Sequence, residues 1–147
     1  FCGTFFISAI DFCLQDSMMH IVAPKAARLG YAPDFWISPD GVGGRGRPDP
    51  YMIFENLKAL EVPSVKNAVK VGDTVSDIRE GVNAGVWSVG VIEGSSVLGL
   101  SQTEYEALTP EVRRDACRRA EETFRTAGAH FVLNDLSQLP ELIRMIG

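Results

Sequence analysis

The chain has 147 residues, of which 46% are hydrophobic and 22% are charged. These values are typical of one globular domain with its own core, and they exclude an intrinsically disordered chain. The formal net charge is −5 and the Lys and Arg residues are scattered, so the sequence lacks the basic surface of a nucleic-acid-binding protein and we expect no nucleic-acid partner.

Cysteine spacing and the length of apolar runs indicate the cellular compartment in which the protein is expected. Cys2, Cys13 and Cys117 show neither a CxxC nor a Cys/His metal spacing, and we expect reduced thiols in a cytoplasmic protein. No apolar run reaches the roughly 20 residues of a membrane helix, so no membrane partner is expected. The apolar segment 1–10 lacks the basic leader of a signal peptide, and we interpret it as the interior of a longer sequence.

Short apolar runs alternate with longer amphipathic stretches along the chain. The apolar runs predict strands at 5–10, 35–38, 68–71, 87–92 and 130–133. The amphipathic stretches predict helices at 17–29, 50–60, 76–84, 111–127 and 137–146. Strands that are apolar throughout are typical of a parallel sheet with both faces buried. The order therefore predicts a doubly wound, three-layer, Rossmann-like α/β domain.

Glycine and proline mark the predicted boundaries. Gly30, Gly85 and Gly128 fall where helices should end. Asp49 and Pro50 predict an N-cap followed by proline at the first helical position. The loops at 39–48 and 93–96 both follow predicted strands, so we expect both at the carboxyl edge of the sheet, where such folds bind ligands.

The carboxylates of Asp73 and Asp77 are candidate metal ligands. A buried strand is predicted to end at Val71, Gly72 permits a turn, and Asp73 follows at the carboxyl edge. Asp77 falls in the first turn of the next helix, so both carboxylates can point into one crevice. Mg²⁺ is typically bound by one or two carboxylates together with substrate phosphate. The alternative left open is that the two residues only cap and charge a helix N-terminus.

Arg47 is the candidate for binding an anion. It lies on a glycine-flanked loop just before a predicted helix, and the planar guanidinium matches the oxygens of a phosphate group. The alternative is a flexible, exposed loop with solvated arginines. The loop at 93–96 is interpreted as a turn with no required chemistry.

These motifs resemble a known family. The segment 71–91, VGDTVSDIREGVNAGVWSVGV, resembles the haloacid dehalogenase (HAD) superfamily. The segment 46–50, Gly-Arg-Pro-Asp-Pro, followed by Met52, is similar to the phosphonoacetaldehyde hydrolases in particular. The resemblance runs from 18 to 147. We therefore expect 1–17 to be a divergent N-terminal segment and 18–147 to be the C-terminal part of a HAD-like core.

The resemblance implies Mg²⁺-dependent hydrolysis of a small-molecule phosphonate, phosphonoacetaldehyde, to acetaldehyde and phosphate. In this family an Asp near the amino terminus attacks phosphorus, and a Lys in an inserted cap forms a Schiff base that accepts electrons from the departing carbon. The resemblance assigns metal roles to Asp73 and Asp77 and the neutralisation of phosphate charge to Arg47. Ser8, which follows an apolar run, is the candidate for a hydroxyl that binds the phosphoryl group; the alternative is a buried or turn serine.

The sequence also departs from the family. It contains no Asp-x-x-Gly-Thr segment and no stretch of the length of the cap. We therefore expect a core without the nucleophile strand, the helical cap and the Schiff-base Lys, and an isolated chain without turnover. Members of the family form homodimers through the cap, so we do not expect a dimer here. Two alternatives stay open: another HAD phosphatase or phosphomutase, and a core that catalyses no reaction.

Overall fold

The computed structural model describes residues 8–11 and 15–147. The strands in this part of the chain are β1 (Ala9–Asp11), β2 (Phe35–Ile37), β3 (Val69–Gly72), β4 (Trp87–Val91) and β5 (Phe131–Leu133). The α-helices are α1 (Asp16–Arg28), α2 (Tyr51–Ala59), α3 (Val75–Ala84), α4 (Gln102–Ala107), α5 (Pro110–Ala127) and α6 (Leu139–Ile146). Short 3-10 helices lie at Pro39–Val42, Val65–Asn67 and Leu136–Gln138.

The predicted elements agree closely with this order. Four predicted strands lie within one residue of β2 to β5, while positions 5–7 of the first predicted strand lie outside the described residues. Gly85 and Gly128 end α3 and α5 in the left-handed conformation, as predicted. Helix α4 was missed because six residues are too few for a helical period to show.

The predicted start of α2 is wrong. Pro50 is the N-cap of this helix and Tyr51 is its first residue, so Asp49 does not cap it. Asp49 instead lies in a turn, where its backbone N–H donates to the carbonyl of Gly46 and its carboxylate pairs with Arg45 at 3.5 Å. The loop therefore extends one residue further toward the helix than the proline pattern indicates.

All strand pairs are parallel, which confirms the α/β class, but the described strands form two sheets. One sheet pairs β1 with β2, and the other has the order β3-β4-β5. The parallel strands of the predicted doubly wound domain therefore lie in two separate sheets in this part of the chain, since β1 and β3 are not paired with each other. Helix α2 connects the two sheets, because it packs against β1 and β2 and also against α3.

Helices cover both faces of the three-stranded sheet. Ser88 and Gly90 of β4 face α3 and α5, whereas Val89, which alternates with them, packs with Leu142 of α6. A Cβ at Gly90 would lie 2.7 Å from Cγ of Phe124, so glycine is what lets α5 approach this strand. No helix in the described ranges is long and apolar enough to span a bilayer.

Phe124 is expected to be the largest single contributor to this core. Its side chain is fully buried among Ile78, Ile92, Ala120 and Ala129. Phe124→Ala leaves a cavity between α5 and the sheet, and we expect it to lower the free energy of unfolding by about 3–5 kcal/mol in urea denaturation. Val112→Ala, on the exposed part of the same helix, is the control, with an expected effect below about 0.5 kcal/mol. Equal effects of the two substitutions would contradict this packing.

Candidate functional site

The turn after β3 is shaped by a capping box. Thr74 is the N-cap of α3, and its hydroxyl oxygen accepts from the backbone N–H of Asp77 at 3.1 Å. The backbone N–H and the hydroxyl of Thr74 donate to Oδ2 of Asp77 at 3.1 and 2.6 Å. The capping role that the sequence left open for Asp77 is therefore present. Asp73 precedes this box and is exposed.

Gly72 allows the helix to begin this close to the strand. A Cβ at position 72 would lie 2.1 Å from Cβ and 2.7 Å from Cγ of Asp77. No side chain can occupy that space, so the backbone of β3 and the carboxylate of Asp77 are in direct contact. The sequence pattern indicates only a turn at Gly72; in the structure this glycine also makes room for Asp77.

Two cations contact the same oxygen of Asp77. Arg47 donates from Nη1 to Oδ1 of Asp77, and Nζ of Lys70 lies 3.4 Å from that oxygen. Nζ of Lys70 also lies 3.0 Å from Oε2 of Glu80. The four side chains are 16% (Arg47), 9% (Lys70), 3% (Asp77) and 0% (Glu80) exposed. We refer to Arg47, Lys70, Asp77 and Glu80 as the ion cluster; its two positive and two negative charges balance.

These contacts determine the protonation state of Asp77. Burial alone would raise the pKa of this carboxyl group, because it disfavours the charged form. The hydrogen bond from Thr74 and the charges of Lys70 and Arg47 together outweigh burial and hold the pKa of Asp77 below its ordinary value. Asp77 is therefore ionised at neutral pH, and its charge is bound to Arg47 and Lys70.

The loop that carries Arg47 is fixed to α3. Nδ2 of Asn83, in the last turn of that helix, donates to the carbonyl of Pro48 at 2.9 Å. Arg45 lies over the ring of Tyr51 at 4.1 Å from its centroid and is 59% exposed. The alternative of a solvated loop arginine thus fits Arg45, whereas Arg47 is largely buried against Asp77.

The loop after β4 reaches the same edge. The hydroxyl of Ser96 donates to the backbone carbonyl of Asp73 at 3.1 Å. The hydroxyl of Ser95, which is buried, accepts from the N–H of Leu98 at 3.0 Å and stabilises the turn. The loop at 93–96 therefore supports the backbone of Asp73, a contact that the sequence analysis did not predict.

Ser8 is held by a contact with Asp34. It directly precedes β1, and its N–H and hydroxyl both donate to Oδ2 of Asp34, at 2.8 and 3.3 Å. Asp34 directly precedes β2, so this contact ties together the amino ends of two parallel strands. Ser8 is exposed, so it is not the buried serine that the sequence left as one alternative; a role in binding the phosphoryl group stays a prediction.

The carboxylate of Asp73 is exposed at this edge and is available to Mg²⁺. Both oxygens of Asp77 already contact Thr74, Arg47 or Lys70. Across 8–11 and 15–147, no three His, Cys, Asp or Glu side chains are grouped so as to hold a metal ion. Asp73 therefore fits a site that substrate and water complete, and the contacts of Asp77 favour a supporting position. The metal roles of both residues stay predictions.

Lys70 and Glu80 are the members of the ion cluster that the sequence analysis missed. The available signal is weak: Lys70 is a charged residue inside an apolar strand, and Glu80 lies three residues after Asp77, on the same side of a helix. Their pairing depends on how α3 packs over β3, which the linear pattern does not contain.

Comparison with known proteins provides independent support for the family. No family model matches the chain. Over 131 residues the chain is 50% identical to the phosphonoacetaldehyde hydrolase of Lysinibacillus sphaericus, covering 89% of this chain and 49% of that protein. Over 126 residues it is 48% identical to the bifunctional phosphonoacetaldehyde hydrolase/aminoethylphosphonate transaminase of Clostridioides difficile, covering 86% and 20%. The resemblance to the phosphonoacetaldehyde hydrolases is confirmed.

A solved structure extends this comparison to three dimensions. The crystal structure of a phosphonoacetaldehyde hydrolase-like protein from Oleispira antarctica superimposes with a TM-score of 0.88 at 31% identity, covering 94% of this chain and 50% of that one. A HAD family hydrolase from Deinococcus radiodurans shares the fold, with a TM-score of 0.64 at 21% identity. The chain spans about half the length of the phosphonoacetaldehyde hydrolases that it matches, and 20% of the bifunctional protein.

Replacement of Asp77 by Asn tests its charge. At neutral pH we expect Asp77→Asn to lower the free energy of unfolding by about 3 kcal/mol, because it removes a buried negative charge that both Arg47 and Lys70 contact. The pKa of Asp77 is depressed in the folded state. The stabilisation that its negative charge provides is therefore complete above the ordinary pKa of 3.8 and is lost as the pH falls below that value. Urea unfolding should thus show a constant difference from about pH 7 to about pH 5 that narrows in more acidic buffer.

The control for that experiment is Asp115→Asn. Asp115 pairs with Arg118 on the exposed surface at 3.3 Å, and we expect an effect below about 1 kcal/mol. A difference between Asp77→Asn and the unsubstituted chain that stays the same size in strong acid would contradict the ionised state of Asp77.

Gly72→Ala tests the contact between β3 and α3. The added methyl group overlaps Asp77, and we expect a loss of about 3 kcal/mol in the free energy of unfolding, measured in urea. Gly44→Ala is the control, since Gly44 has open space around it and only its positive φ of 79° opposes a side chain; its expected cost is about 1 kcal/mol. A Gly72→Ala variant as stable as Gly44→Ala would show that α3 does not lie this close.

Proposed function

We propose that this chain carries the phosphate-binding and Mg²⁺-binding part of a phosphonoacetaldehyde hydrolase, which converts phosphonoacetaldehyde to acetaldehyde and phosphate. The observation that supports this most directly is the contact between Arg47 and Asp77, beside Asp73 at the end of β3. The identity of about 44–50% to phosphonoacetaldehyde hydrolases along this segment supports a small-molecule phosphonate as the proposed substrate. A cytoplasmic location and the absence of a dimer stay predictions.

Arg47 is the proposed phosphonate-binding residue. A guanidinium presents its N–H donors in a rigid plane, and the contact with Asp77 fixes the orientation of that plane. A fork held in this way is suited to the oxygens of a phosphonate group. Asp77 thus orients Arg47, and the hydrogen bond from Asn83 to Pro48 fixes the position of the loop relative to α3.

Asp73 is the proposed Mg²⁺ ligand from this chain. It is exposed, and its backbone is held from one side by the capping box and from the other by Ser96. Bound Mg²⁺ would supply positive charge to the phosphonate oxygens. Asp77 is buried next to this turn, where it closes the capping box with Thr74 and contacts Arg47. In this arrangement Arg47 neutralises and orients the phosphonate, and Asp73 would hold the Mg²⁺ that supplies further positive charge; neither side chain forms a bond to phosphorus.

The nucleophile and the Schiff-base Lys are proposed to come from outside these 147 residues. The edge of β1 and the edge of β3 have no strand partner other than β2 and β4 among the described residues. A parallel sheet normally has neighbours on both sides of its inner strands. We infer that one further strand fits between β1 and β3, where its carboxyl end would lie next to Asp73. We expect no acetaldehyde release by the isolated chain.

A chimaera tests this function. Residues 18–147 replace the matching part of the Lysinibacillus sphaericus hydrolase, and acetaldehyde release from phosphonoacetaldehyde is measured with Mg²⁺. We expect the chimaera to be active, and Arg47→Met in the chimaera to lower kcat/KM on the order of 100-fold, because a charge that stabilises the transition state is lost. Asp73→Asn should shift the Mg²⁺ dependence to higher concentration.

The matched control for Arg47 is its neighbour Arg45. Both arginines lie on the same loop, but Arg45 is exposed and pairs with Asp49, so Arg45→Met should leave kcat/KM nearly unchanged. Equal losses from the two substitutions would contradict the assignment. A folded chimaera that hydrolyses a phosphate monoester and leaves phosphonoacetaldehyde intact would indicate another HAD phosphatase.

A further inference from the structure

We propose that Lys70 and Glu80 are positioning residues for Arg47 and act through Asp77. Their functional consequence rests on the phosphate-binding role proposed for Arg47. Neither residue is placed to reach the exposed edge directly: the side chain of Lys70 is almost fully buried and that of Glu80 completely so. Both contribute instead to how the carboxylate of Asp77 is held.

The packing of α3 on β3 creates the positions of these two residues. Lys70 and Gly72 point to the same face of β3, since side chains alternate along a strand. On α3, Asp77 contacts Gly72, and Gly81 lies so close that its Cβ would be 3.1 Å from Cβ of Lys70. Two glycines, one on each element, therefore bring strand and helix together and force Nζ of Lys70 between the two carboxylates.

The distances define the function of each charge. Nζ of Lys70 is 3.0 Å from Glu80 and 3.4 Å from Oδ1 of Asp77. Glu80 thus draws Lys70 partly away from Asp77, so that Oδ1 keeps the capacity to accept from Arg47 as well. Without Glu80, Lys70 would neutralise Asp77 alone and weaken its hold on Arg47. Without Lys70, two buried carboxylates would face each other with Arg47 as their counter-charge.

A purely stabilising role does not explain this pair. Burying charges costs desolvation energy, and replacing a buried ion pair by apolar residues of similar size is often neutral or stabilising. A pair whose only task was stability could therefore be replaced by apolar residues without further effect. The contact of Lys70 with Asp77, and of Asp77 with Arg47, gives the pair a task that apolar residues lack.

The experiment compares single and double variants of the full 147-residue chain. Three quantities are measured: the thermal midpoint, the rotation of the Arg47 guanidinium about its Nε–Cζ bond by ¹⁵N NMR, and the affinity for inorganic phosphate by calorimetry. Lys70→Met alone should lower the midpoint strongly, because it removes the cation that lies 3.0 Å from the buried carboxylate of Glu80. Lys70→Met with Glu80→Leu should regain most of that loss.

The double variant separates positioning from stability. Although the double variant regains its thermal midpoint, we expect its Arg47 guanidinium to rotate faster. We also expect its phosphate affinity to fall about tenfold, because Arg47 is no longer held in place. The matched control removes a surface pair of the same kind, Lys58→Met with Glu55→Leu, whose charges lie 3.5 Å apart and exposed. This control should change neither the rotation of the Arg47 guanidinium nor the affinity for phosphate.

Three outcomes decide the matter. A double variant with regained stability and unchanged rotation of Arg47 would overturn the proposal, since the pair would then be structural only. A double variant no more stable than Lys70→Met would overturn it too, because stability would be the task of the pair. If the unsubstituted chain binds no phosphate, the proposed function fails, whereas the rotation of Arg47 still decides whether Lys70 and Glu80 position it.

Discussion

The carboxylate of Asp77 is the interaction on which the rest of the site depends. It closes the capping box with Thr74, contacts the backbone of β3 at Gly72, and receives both Arg47 and Lys70. One side chain therefore starts a helix, sets its distance from the sheet, and orders a loop that precedes it by 30 residues. The depressed pKa of Asp77 follows from the same contacts, so local structure and charge are two consequences of one arrangement.

The fold brings these groups to one place through the order of its elements. Parallel strands direct the loops that follow them to the same edge, and the loops at Asp73 and Ser96 meet there. Helix α2 joins the two described sheets and carries the Arg47 loop at its start. The similarity to phosphonoacetaldehyde hydrolases covers nearly all of the chain and about half of their length.

The sequence predicted what depends on local pattern. Apolar runs located β2 to β5, glycines located the ends of α3 and α5, and the residues around Asp73 and Arg47 indicated the family. It could not show which strands pair with which, because strand pairing joins segments that lie far apart in the sequence. Nor could it show that Arg47 is largely buried while Arg45 is exposed. The difference comes from Asp77 and Asn83 on α3, which contact Arg47 and the loop next to it.

Helix α3 contacts the Arg47 region at both of its ends, through Asp77 in the first turn and Asn83 in the last. Six residues separate the two, a rise of about 9 Å along the axis. An inserted or deleted residue between them would turn Asn83 by about 100° and displace it from Pro48, even if every side chain were kept. The number of residues in this helix is thus itself constrained, and natural length variation should be confined to the loops beyond it.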